Sequence, residues 1–190
     1  MSDNRELSVQ LFEVKTEHAF KYGFNITART IQLVGDISEE MFVQLDTALS
    51  ILEEESKAAI TIKINSLGGS VYDGMAIIGR IKASKCKIVT EGYGSIMSAA
   101  ILILAAGAKR RMSRYATAMW HEASYEDAGT VSQMNHRNKQ MQREEELACK
   151  AIESFSSTPA KYWATEGKLG KDLFLNAQEC KLLGVIDEVF

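Results

Sequence analysis

Ser98, His121 and a few aspartates are the residues of this chain whose types could carry nucleophilic catalysis. Ser98 lies in Gly94-Ser95-Ile96-Met97-Ser98-Ala99-Ala100, and the apolar run Ile101 to Ala106 follows at once. This order places its hydroxyl at a helix start, against unsatisfied backbone N–H groups and the positive end of the helix dipole, where developing negative charge is supported. A serine there is also an ordinary helix cap, and the segment alone fits the cap better than the nucleophile. His121 follows Tyr115-Ala116-Thr117-Ala118-Met119-Trp120, which reads as a strand delivering it at the C-terminal end, where α/β folds place their chemistry.

A serine and an imidazole need a third group to hold the imidazole tautomer, and a carboxylate does this best. Asp172, in Gly170-Lys171-Asp172-Leu173-Phe174-Leu175, stands in a loop ahead of Asn176-Ala177-Gln178-Glu179, whose Asn and Glu have capping-box spacing. Asp127 is nearer His121 in sequence and Asp187 lies in the final strand, so spacing leaves all three open. An oxyanion requires outward-turned amides. Ile60-Thr61-Ile62-Lys63-Ile64 alternates as a strand and runs into Asn65-Ser66-Leu67-Gly68-Gly69-Ser70, after which Val71, Met75, Ile78 and Ile81 mark one helical face. Paired glycines reach positive φ and can turn an N–H outward, although the same pair also makes a plain tight turn.

The elements that must position these groups alternate along the chain. Strands are expected near 31–35, 60–65, 87–91, 115–120 and 185–189, with helices near 70–83, 98–107 and 176–183, a parallel-rich α/β core. Ser38 caps a further helix whose apolar face is Phe42, Leu45, Leu49 and Leu52. The charged segment Val131 to Ser156 predicts a helix too long for the domain, with an interrupted apolar stripe from Met134 to Ile152. At 190 residues and 46% hydrophobic content, without a Pro/Gly/Ser-rich hinge or a repeat, a single domain is expected.

Taken together, Asn65-Ser66-Leu67-Gly68-Gly69, Gly94 to Lys109, Met119-Trp120-His121, Asp172 to Leu175 and Gly184-Val185-Ile186-Asp187-Glu188-Val189 resemble the ClpP family, the proteolytic subunits of Clp proteases, in unbroken order over roughly residues 28 to 190. The resemblance implies a ClpP/crotonase-like α/β fold of repeated β-β-α units, with 124–156 as a projecting strand-helix handle and 1–28 as an N-terminal segment that is either an axial pore loop or a mobile tail. It makes Ser98 the nucleophile, His121 the general base and Asp172 the orienting acid, with oxyanion N–H groups from Gly69 and Ala99. The implied activity is hydrolysis of peptide bonds in unfolded proteins or peptides, with no metal or bound cofactor, ATP being used by a partner unfoldase. The implied partners are further copies, in heptameric rings stacked as a tetradecamer, and an AAA+ unfoldase of the ClpX or ClpA type. Several positions depart from the family pattern. Leu67 replaces the usual proline, and Thr61, Lys63 and Ala83 stand where aromatics commonly receive the unfoldase's hydrophobic loop, so these residues leave docking to a standard Clp ATPase open.

Twenty-two basic against 25 acidic residues, a net charge of −3, disfavour nucleic acid as the main partner. Lys109-Arg110-Arg111 and Arg114 read as a solvated turn or an intersubunit contact. The stretch Met1 to Glu6 lacks the apolar core of a signal peptide, the run Ile96 to Ala108 is too short for a bilayer, and Cys86, Cys149 and Cys180 are odd in number and far apart. A cytoplasmic protein with no membrane partner is expected. His136 lacks a paired metal ligand. Two other functions compete: a crotonase-like acyl-CoA enzyme, for which no adenine or pantetheine site is evident, and a non-catalytic ring subunit, against which an intact Ser98, His121 and Asp172 argue. A Ser/Lys protease would leave His121 idle.

Overall fold

The computed structural model describes residues 23–124, 128–168 and 172–190. Its strands are β1 (Phe24–Asn25), β2 (Thr30–Val34), β3 (Ile60–Ser66), β4 (Ile88–Met97), β5 (Lys109–Met112), β6 (Thr117–Trp120), β7 (Leu173–Asn176) and β8 (Glu188–Val189). The helices are α1 (Glu39–Glu55), α2 (Val71–Lys82), α3 (Ala99–Ala105), α4 (Val131–Phe155), α5 (Ala160–Lys168) and α6 (Ala177–Leu182). The result is a mixed α/β fold around a sheet ordered β1-β2-β3-β4-β5-β8, parallel from β2 onward.

Isoleucines at alternate positions of β3, Ile60, Ile62 and Ile64, are fully buried and share one core with Leu45, Leu49 and Leu52 of α1, a period of two beside a helical stripe. Each such side chain contributes roughly 1.5–3 kcal/mol of burial. Helix α3 is apolar all round and is buried on every residue, which suits the centre of a domain rather than its surface. At the far end of α1, Arg29 reaches across from the sheet and donates to the carbonyls of Leu52, Ser56 and Ala58, supplying the cation that the last turn of that helix lacks.

One strand forks, and the fork creates room for the site. The first half of β4 pairs with β5 and its second half with β6, which in turn carries antiparallel β7. The bend falls at Gly94, φ 55°, where a Cβ would lie 2.7 Å from Asn65 Oδ1; that same oxygen accepts from the Ser95 N–H at 3.0 Å.

Three expectations are corrected. Lys109 to Met112 is strand β5 rather than a solvated turn: Arg110 pairs with Asp187, Arg111 with Glu91, and Lys109 with Glu188, so the charges are matched across neighbouring strands and no apolar alternation marks the strand. The segment after Asp172 is strand β7 rather than a loop, because its backbone pairs with β6. Helix α5, unanticipated, packs around Trp163, fully buried. Helix α4 projects as expected: residues 131–140 are exposed, and Glu144, Ala148, Cys149 and Ile152 are buried against the domain, on a helix about 37 Å long. Residues 125–127, with Asp127 and the strand half of the expected handle, and the expected pore segment up to residue 22 lie outside the described residues. The three cysteines are buried free thiols, and burial pushes Cys180 up to about 12. Among the described residues no helix is long and apolar enough to cross a membrane.

Candidate active site

Ser98 stands between β4 and α3 with φ 54° and ψ −125°, a backbone that side-chain-bearing residues rarely adopt. Its N–H donates to the Met119 carbonyl at 2.8 Å and its own carbonyl accepts from the Ile101 N–H at 3.1 Å, so the turn is held from both sides. The hydroxyl makes no capping hydrogen bond. A serine serving as a simple cap would direct its oxygen at the N–H groups of the first turn; this one leaves them open. A sharp, strained strand-to-helix turn that presents a serine outward is the geometry of a nucleophile elbow.

His121 leaves the end of β6. Trp120, immediately before it, is buried, donates from its indole N–H to the Trp163 carbonyl at 2.9 Å and meets the Trp163 ring edge-on at 5.4 Å. On the other side of the histidine, the Ala123 N–H donates to Glu145 Oε2 at 3.1 Å, tying the chain to α4. The imidazole is half-buried and shares with Ser98 and Gly69 a cavity of about 350 Å³, walled by Leu67, Val71 and Met141. A larger cavity of about 550 Å³ between α4 and α5 contains neither Ser98 nor His121, and the chemistry argues for the smaller one.

The glycine turn divides its duties. Gly68, φ 103°, presses on the nucleophile: a Cβ there would lie 2.7 Å from Ser98 Cβ and 2.8 Å from the Met97 carbonyl oxygen. Its N–H is taken by Ser66 Oγ at 3.0 Å and its carbonyl by the Ile37 N–H at 2.8 Å. Gly69, φ 146°, is clamped to Ile37 through the neighbouring Ser70 N–H, and its own N–H donates to no acceptor among the described residues. Ala99 opens α3, so its N–H has no intrahelical acceptor either. Two free donors thus flank the serine, the arrangement an oxyanion requires.

Asp172 is placed by register. The β6–β7 ladder pairs Met119 with Phe174 and ends on Trp120 with Leu173, and His121 and Asp172 are the next residue beyond that last pair on each strand. The carboxylate is exposed, and among the described residues His121 bonds to neither Asp172 nor Ser98 in this structure. Asp187, one of the competing acids, is committed elsewhere: the hydrogen bond from Arg110 holds its carboxyl below the usual range. Glu144 also belongs to the site, although it was not a candidate from sequence, and Gly68, read there with Gly69 as an outward-turned glycine pair, packs against Ser98 instead of offering its N–H. Glu144 sits in an otherwise charged run of a helix, and only the packing of α4 on α2 reveals which face carries it inward.

The Clp protease family model matches residues 15–190, reaching further toward the N-terminus than the motif resemblance from about residue 28. ATP-dependent Clp protease proteolytic subunit 1 of Corynebacterium jeikeium is 29% identical over 164 residues, covering 85% of this chain and 86% of that protein. The corresponding proteolytic subunit of Oltmannsiellopsis viridis is 28% identical over 164 residues, with 85% and 83% covered. A solved structure of a ClpP1 mutant from Listeria monocytogenes superposes with a TM-score of 0.79 at 27% identity, covering 87% of this chain and 92% of that one. With a serine elbow, a glycine turn and a strand-borne histidine in one continuous match across the described sheet, the chain belongs to the Clp protease family.

Proposed function

We propose that this chain is a serine endopeptidase subunit that hydrolyses peptide bonds of unfolded proteins or peptides inside a ring assembly. The observation that carries this reading is the strained Ser98, its hydroxyl uncommitted, in one cavity with His121 and the free N–H of Gly69. His121 takes the Ser98 proton as the oxygen adds to the scissile carbonyl, and the N–H groups of Gly69 and Ala99 bear the resulting oxyanion. His121 then protonates the leaving amine. Water, deprotonated by the same imidazole, releases the acyl group and restores the serine. Asp172, one ladder step from His121, holds the imidazole tautomer once the two side chains close. These steps draw on side chains and backbone N–H groups of this chain; ATP is consumed by a partner.

Family membership supports a ring assembly, and the reading extends it to heptameric rings stacked as a tetradecamer, with the exposed half of α4 as the contact between rings and an AAA+ unfoldase at the ring face, in a cytoplasmic setting. Closure of His121 onto Ser98 and Asp172 is assigned to assembly. Native mass and hydrolysis of a fluorogenic peptide, measured on the same dilution series, test this. Turnover that tracks a species of seven or fourteen subunits, with Ser98 labelled by a fluorophosphonate, is expected. A silent protein at every mass, unlabelled at Ser98, would overturn the reading, and binding of coenzyme A in its place would favour the crotonase-like alternative.

A further inference from the structure

Resting on the assignment of Ser98 as nucleophile, we propose that Glu144 makes the pocket beside it select a basic side chain, lysine or arginine, on the acyl side of the scissile bond. The residue whose carbonyl meets Ser98 must place its side chain in the cavity that Ser98 and His121 share. Leu67, Val71 and Met141 give that cavity apolar walls, and among the described residues Glu144 is the one carboxylate lining it and no lysine or arginine does. The small pocket adjoining it, also bounded by Ser98 and His121, is lined by a second carboxylate, Glu145, and by no cation among the described residues.

Glu144 is 7% exposed. Its Oε1 accepts from the Tyr72 hydroxyl and from Gln140 Nε2 at 2.9 Å, while its Oε2 has no hydrogen-bond partner among the described residues. A tie between α2 and α4 would be complete with the first oxygen alone. With the Tyr72 hydroxyl and the Gln140 amide both taken up by the first oxygen, the second keeps its lone pairs for a cation carrying N–H donors, a charge-assisted bond of the stronger kind. Burial also concentrates the field of the charge within the cleft. Lysine and arginine bring what the walls and the carboxylate ask for together: a long aliphatic stem against leucine, valine and methionine, and a charged donor at its tip.

The test uses the assembled protein and two fluorogenic peptides identical but for lysine or leucine before the scissile bond, with paired phosphonate esters bearing the same side chains to label Ser98. Lysine is expected to exceed leucine by about tenfold or more in kcat/KM and in labelling rate, and Glu144→Gln to lower that ratio by at least about tenfold. Tyr72→Phe, which removes one of the two donors on Oε1 and keeps the carboxylate, should leave the ratio intact or raise it. This second variant, with the wild-type profile, decides the matter if Glu144→Gln fails to fold. Leucine preferred by the wild type, a ratio unmoved in Glu144→Gln, or a ratio that collapses in Tyr72→Phe overturns the selectivity while Ser98-dependent turnover stands. Absence of turnover and of labelling with every side chain overturns the peptidase reading itself, and the selectivity with it.

Discussion

Ser70 and Ser98 each open a helix that leaves a strand of the same sheet, yet their backbones send the two hydroxyls to opposite duties. Ser70, φ −58° and ψ 122°, accepts from the Asp73 N–H at 3.2 Å and so closes the first turn of α2. Ser98, φ 54° and ψ −125°, closes nothing. The strained conformation costs on the order of 1–3 kcal/mol and persists only where the surroundings over-determine it. Here they do: the strand ladder of β6 grips the Ser98 N–H, Gly68 presses from below, and the fully buried α3 cannot shift. A capped helix start gains stability from its serine, whereas an uncapped, strained one gives stability up to leave an oxygen and two amides free.

Removing each hydroxyl in turn is the harshest way to break the contrast. Ser98→Ala should lower peptide turnover by on the order of 10⁴-fold while the thermal midpoint stays level, since no native hydrogen bond of that oxygen is lost. Parallel assays of turnover and melting check both halves, and a Ser98→Ala protein that cleaves peptide like wild type would dissolve the distinction. The glycine turn that serves both serines comes next. Gly69→Ala would set a Cβ 2.4 Å from the Ile37 carbonyl oxygen, a backbone atom held in a bridge, at φ 146°. A loss on the order of 3 kcal/mol in urea unfolding is expected, with catalysis falling alongside it.

Much of this was legible from residue order because the relevant signals are local. Alternation in β3, the apolar stripe of α1, the capping box at Asn176 and the glycine pair each announce an element within a few residues, and the boundaries of α2 and α3 fall within two residues of where periodicity sets them. What stayed hidden depends on partners distant in sequence. Strand β5 is four residues of lysine, arginine and methionine whose pairing with Glu91, Asp187 and Glu188 exists only once the sheet forms. Strand β7 is recognisable only through β6, and the same pairing ends one residue short of both His121 and Asp172. Whether Ser98 caps its helix or leaves its hydroxyl uncommitted is a matter of two dihedral angles, which composition does not encode.

The anchorage of α2 sharpens the comparison through pH. Arg80, near its C-terminal end, donates to both oxygens of Glu53 on α1, at 3.0 and 3.1 Å, and Ser84 adds a further hydrogen bond. Led by the Arg80 contact, these hold the Glu53 carboxyl down from 4.5 to about 2. Because the folded value lies below the unfolded one, the ion pair stabilises fully above pH 4.5 and its contribution disappears as pH falls toward about 2. Discounted for solvent screening, that contribution is about 2 kcal/mol. Urea unfolding at pH 6 and at pH 3 should show it in the wild type, and Glu53→Gln should flatten the difference. An identical slope in both proteins would mean that α2 is held by its apolar face alone.

Ser70→Ala is the gentlest of the four and bears most directly on what a cap is. Its oxygen satisfies a single orphan N–H, that of Asp73, so the loss should be about 1 kcal/mol, the ordinary value of an N-terminal cap. Asp73 itself lies in the first turn and continues to favour the helix dipole, which keeps the effect at that scale. Catalysis should survive, because the Ser70 N–H, which clamps the turn to Ile37, is untouched by the substitution. A hydroxyl that matters to stability and not to rate, set beside one that matters to rate and not to stability, would separate the two serines by measurement as the dihedral angles separate them by geometry. Turnover falling with Ser70→Ala as far as with Ser98→Ala would show instead that the cap and the elbow act as one unit.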